Sequence, residues 1–77
     1  MEQEIRNALA EINPGFKSYD GDNMCADLGI DSHDIFNVVV SLENAFGIEI
    51  DPLYMRMENF MSIAKIEAMI QEIQDKA

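Results

Sequence analysis

Ser32 is the residue of this chain best placed for chemistry. It follows Asp27-Leu28-Gly29-Ile30-Asp31 and opens a long apolar stretch. Between Lys17 and Arg56 there are eight carboxylates (Asp20, Asp22, Asp27, Asp31, Asp34, Glu43, Glu49, Asp51) and no Lys or Arg. A hydroxyl at the mouth of a helix, flanked by aspartates, suits an enzyme that docks on acid and modifies a serine. The free N–H groups and positive dipole end of that helix would favour an anion attached there. Serine is also an ordinary residue at a helix start, so the position alone leaves both readings open.

The other reactive side chains make weaker sites. His33 adds a titratable ring beside Ser32, yet no nucleophile with an orienting group accompanies it, which argues against catalysis. One cysteine, Cys25, cannot form an internal disulfide, and with one histidine it is too little for a zinc site. The segment Asp20-Gly21-Asp22-Asn23-Met24-Cys25 invites comparison with a calcium-binding loop. Such a loop would want oxygen at Met24, glycine at Cys25 and glutamate at Asp31, so no metal site is expected.

Composition narrows the partners. Fifteen acids against five bases give a net charge of −10, which repels nucleic acid and anionic membranes and favours basic proteins. With 48% hydrophobic residues and no long Pro, Ser or Gly tract, the chain reads as globular, and its 77 residues make one domain. The acidic start Met1-Glu2-Gln3-Glu4 lacks an apolar run, and no stretch approaches a membrane span. No membrane insertion is expected, and a cytoplasmic monomer is.

The elements that must position Ser32 follow from periodicity. Ile5, Ala8, Leu9 and Ile12 recur at helical spacing, with Glu2, Glu4, Arg6 and Glu11 on other faces, and Pro14-Gly15 is expected to stop that helix. A long loop from Phe16 to Asp31 should be anchored by Phe16, Met24 and Leu28. The second helix should run from Ser32 to Phe46, with Asp31 as N-cap, Asp34 in the first turn and Gly47 as the stop. Ile35, Val38, Val39, Leu42, Ala45 and Phe46 form its apolar stripe. Phe36 and Val40 lie on a different arc, more apolar surface than a core face requires. Ile48–Pro52 reads as an extended connector and Met57–Met61 as a short helical turn. A last helix from about Ser62 carries Ile63, Ile66, Met69, Ile70 and Ile73 inward. The expected fold is all-α: a small four-helix bundle of three longer helices and one short one, with a long loop after the first.

Leu28-Gly29-Ile30-Asp31-Ser32 resembles the attachment sequence of acyl carrier proteins, and the resemblance continues through Asp34, Val38, Val39, Leu42, Glu43, Phe46, Glu49 and Ile50. It implies the same small helical bundle, no catalysis by the chain itself, and 4'-phosphopantetheine from coenzyme A on Ser32. Acyl intermediates of fatty-acid, polyketide or related lipid biosynthesis would ride on it as thioesters. The implied partners are a phosphopantetheinyl transferase and acyl-transferring, condensing or ligase enzymes with basic docking surfaces. They would be recognised through Asp31, His33, Asp34, Phe36, Val40 and Glu43. Phe36 and Val40 match apolar spots that partners grip in the family, although packing against the long loop would also explain them.

The chain departs from that family in three places. His33 replaces the usual leucine or methionine, Asn37 and Asn44 stand where acids are frequent, and the Met-rich stretch before the last helix is about two residues longer. Met55, Met57 and Met61 are either adaptable cavity lining or core filler. An acyl chain, if shielded, would enter where Val39 and Leu42 face Ile50, Phe60 and Ile63. Two other readings remain: a peptidyl or D-alanyl carrier using the same attachment, and a non-covalent helical adaptor for a basic partner.

Overall fold

The apolar periodicity is realised as helices α1 (Glu2–Ala10), α2 (Met24–Asp27), α3 (Ser32–Phe46) and α4 (Ile63–Lys76), with 3-10 turns at Pro14–Lys17, Pro52–Tyr54 and Met57–Phe60. The structure is a computed structural model describing residues 1–76, and among these there is no strand. The fold is the all-α bundle expected. α1 packs on α3 and α4, and Ile5, Leu9, Val38, Leu42, Ile66 and Ile70 from these three helices are fully buried together with Phe16, Met24 and Phe60. Each such side chain contributes about 1.5–3 kcal/mol by leaving water, which lets so short a chain hold together.

The long loop is more structured than its composition suggests. α1 ends at Ala10 rather than at Pro14, and Asn13 takes an extended conformation that the following proline favours. Its Oδ1 accepts the Gly15 N–H at 2.9 Å, so Pro14 opens a new turn instead of closing the old helix. Phe16 and Met24 are fully buried as anchors, Leu28 is half-buried, and Ile30 is buried as well. The Tyr19 hydroxyl donates to Asp27 Oδ2 at 2.7 Å and accepts the Asn23 N–H at 2.9 Å, closing the arc that carries α2.

Arg6 corrects the sequence reading most. Its helical position pointed to solvent, yet it is 8% exposed and staples the loop to α1. Its Nη1 donates to the carbonyls of Phe16 (3.1 Å), Lys17 (3.3 Å) and Tyr19 (2.8 Å). Nη2 donates to Asp20 Oδ1 at 2.8 Å and Nε to Glu2 Oε2 at 3.1 Å. A planar fork of five donors suits this task, since it reaches several acceptors from one stem.

α3 has the expected bounds, from the Asp31 cap to Gly47, whose φ of 62° is the left-handed stop that glycine provides. Ala45, placed in the inner stripe by periodicity, is exposed beside an open depression lined by Glu4, Ala8 and Ser41, while Phe46 packs against the core. Met57–Phe60 forms the short turn foreseen there. Ser62 Oγ accepts the Lys65 N–H at 3.1 Å and starts α4.

Candidate functional site

Ser32 stands exposed in the first turn of α3, and among the described residues none hydrogen-bonds its hydroxyl. Its position is fixed from both sides. Gly29 sits at φ 68°, and a side chain added there would meet nothing within 4 Å, so glycine is needed for the backbone and not for space. After it Ile30 is buried and ties the chain down, its N–H donating to the Cys25 carbonyl at 3.1 Å. Asp31 and Asp34 then close a reciprocal cap. Asp31 Oδ1 accepts the Asp34 N–H at 2.9 Å, and Asp34 Oδ2 accepts the Asp31 N–H at 3.3 Å.

The cap also sets a charge. The Asp34 backbone N–H, more than any other neighbour, holds the Asp31 carboxyl below its ordinary pKa. A depressed carboxylate stabilises the fold fully above the unfolded value of about 3.9 and loses that contribution as pH falls through the lower folded one. Asp31→Asn keeps a capping oxygen that does not titrate. Its melting temperature is expected to fall less steeply than that of the unsubstituted chain between about pH 4 and 2. Parallel curves would show that the cap carboxylate adds nothing.

The remaining predicted site residues fall into three groups. His33, Phe36 and Val40 are exposed, Phe36 at 58%, so more than half of the Phe36 surface is open. Asp34 and Glu43 are half-buried and each holds its own fold, for Glu43 Oε2 accepts the Ile50 N–H at 2.9 Å and fastens the connector after α3. Val39, Leu42, Ile50, Phe60 and Ile63 are all buried within one cluster, which is closed in this structure.

Open apolar space lies elsewhere. A shallow groove of about 250 Å³ runs beside the serine, lined by Ser32, Ile35, Phe36, Met55 and Met57. Met55 and Met57 are exposed, which rules out a role as core filler and makes them walls of this groove. On its other side Met57 Sδ lies 3.2 Å from Cys25 Sγ. Their crowding in the sequence was the only signal for that groove; nothing there linked them to Ser32.

This arrangement fits covalent attachment of a flexible, phosphate-linked group. The hydroxyl is open to an approaching enzyme, the positive N-terminal end of the α3 dipole favours a resulting phosphodiester, and the groove offers apolar contact to the arm. Among the described residues no ion pair uses Asp31, Asp34, Glu43, Glu49 or Asp51, so no Lys or Arg side chain of these residues compensates their charge. No group of three or more His, Cys, Asp or Glu placed to hold a metal occurs among those residues, and none of their helices is long and apolar enough to cross a membrane.

A family model described as a phosphopantetheine attachment site matches residues 3–71, from α1 well into α4. No curated protein and no solved structure matches the chain.

Proposed function

Because the chain belongs to the phosphopantetheine attachment family, whose domain holds 4'-phosphopantetheine covalently, we propose that it is a cytoplasmic acyl carrier protein with Ser32 as the attachment residue. The exposed, unpartnered hydroxyl of Ser32 in a capped first turn carries this reading. The bound group supplies a terminal thiol that holds acyl intermediates of fatty-acid, polyketide or related lipid biosynthesis as thioesters. The chain supplies attachment, address and shelter, and its partners supply the reactions.

Address belongs to the α3 face. Phe36 and Val40 give apolar contact, and Asp31, His33, Asp34 and Glu43 add polar and charged groups around it. A phosphopantetheinyl transferase and acyl-transferring, condensing or ligase enzymes would meet this acidic face with basic surfaces. Asp34 and Glu43 each spend one carboxylate oxygen on the fold and keep the other for a partner cation. Incubation with coenzyme A and a phosphopantetheinyl transferase is expected to add one phosphopantetheine to the intact mass. No gain would leave the non-covalent adaptor as the better account.

Shelter separates two cargo classes. Val39, Leu42, Ile50, Phe60 and Ile63 could enclose an acyl chain if the connector after α3 opens, since burial contributes about 0.8 kcal/mol per methylene. In the rival, a peptidyl or D-alanyl carrier, the small polar cargo would stay outside and leave this packing closed. On the acyl-carrier reading, converting the phosphopantetheine form to the octanoyl form should move the NMR signals of these five residues. Changes confined to Ser32 and its neighbours would assign the small-cargo role.

A further inference from the structure

Beyond Gly47 the chain runs through Ile48–Asp51 into the turn Pro52–Tyr54, which is firmly held. Asp51 Oδ1 accepts the Leu53 N–H at 2.9 Å, the Tyr54 N–H donates to the Asp51 carbonyl at 2.9 Å, and the Met55 N–H donates to the Pro52 carbonyl at 3.0 Å. Asn59 Nδ2 donates to the Tyr54 carbonyl at 2.8 Å. On this fixed turn Leu53 is 76% exposed, more than any other large apolar side chain described. A loose loop tip exposes a leucine by fluctuation, whereas here the backbone presents it.

Leu53 borders a groove of about 530 Å³ whose apolar walls are Ile48, Leu53, Tyr54 and Ile73. Glu49 and Asp51 line one side, and the same two carboxylates line a neighbouring depression that includes Glu43. Lys76, which also lines the groove, is already engaged, 3.3 Å from Glu72 and 3.1 Å from the Tyr54 hydroxyl. Among the described residues no cation pairs with Glu49 or Asp51.

We infer that this groove docks a basic amphipathic segment of a partner protein, with an apolar side chain on Leu53, Ile48 and Ile73 and a Lys or Arg between Glu49 and Asp51. Apolar walls beside unpaired acid call for that combination, and a second copy of so acidic a chain would bring like charge to it. The groove lies past the C-terminal end of α3 and Ser32 at the N-terminal end, about 22 Å apart along 15 residues of helix. A segment seated here leaves the serine uncovered, so a partner can hold the chain while another works on Ser32. The inference does not depend on whether Ser32 is modified.

The test is an NMR titration of the full chain at low salt with a synthetic helical peptide bearing leucines and arginines on one face. Saturable shifts should be largest at Ile48, Leu53 and Ile73. Leu53→Ser should weaken the peptide about tenfold and Glu49→Gln about threefold, while Glu4→Gln binds as the unsubstituted chain does. Asp51 is left intact because it caps the turn. Shifts centred on Phe36 and Val40, unchanged affinity in Leu53→Ser, or groove shifts that follow protein concentration without peptide would each overturn the inference, the last in favour of self-association.

Discussion

Methionine in place of Arg6 is expected to lower the unfolding free energy by about 3 kcal/mol. Methionine keeps the alkyl packing and removes the fork, so the carbonyls of Phe16, Lys17 and Tyr19 lose a charged donor together. Hydrogen bonds to a charged group contribute about 1.5–3 kcal/mol each, and surface water repays part of the loss. A chain of this size has roughly 4–12 kcal/mol in total, so the loss is a large fraction of it. The melting temperature should drop by roughly 12–24 °C. Arg6→Lys should fall between, since an ammonium restores the charge but reaches fewer acceptors. A drop of only a few degrees for Arg6→Met would show that water replaces the guanidinium at little cost.

Ser32→Ala should abolish attachment completely while leaving the fold intact. The cap of α3 is made by Asp31 and Asp34, neither of which uses the Ser32 hydroxyl, and alanine suits a first turn. The change in stability should stay within about 0.5 kcal/mol, as for other exposed substitutions. The remaining serines offer poor substitutes. Ser62 is nearly buried with its hydroxyl accepting the Lys65 N–H, Ser41 is half-buried within α3, and Ser18 lacks a helix behind it. Intact mass after transferase treatment reads the outcome directly. Phosphopantetheine on Ser32→Ala would move the site to one of the other three.

What the sequence discloses here is local. The bounds of α3 are set by an aspartate before it and a glycine after it, features read within a few residues, and the structure has both. Arg6 escapes such reading because its acceptors lie ten to fourteen residues away, and only the folded loop brings their carbonyls to one point. Glu43 is similar. Its helical position marks it as surface charge, while the Ile50 N–H that it holds belongs to a connector with no periodicity to place it. Pro14 misleads for a different reason, since a proline that breaks one helix is equally suited to opening a turn. The groove beside Ser32 joins residues more than twenty positions apart, and neither composition nor spacing encodes such a meeting.

The Arg6 staple also sets how this protein breathes. Because one side chain in the middle of α1 holds the first residues of the following loop, separating the two breaks all of its hydrogen bonds to that loop at once. They are expected to open as one sub-global unit, with the amide protons of α1 and of Phe16–Asp20 exchanging together. Ser32 lies outside that unit, because Ile30 and the reciprocal Asp31–Asp34 cap hold its approach separately, so the serine should stay presented while the N-terminal unit opens and closes.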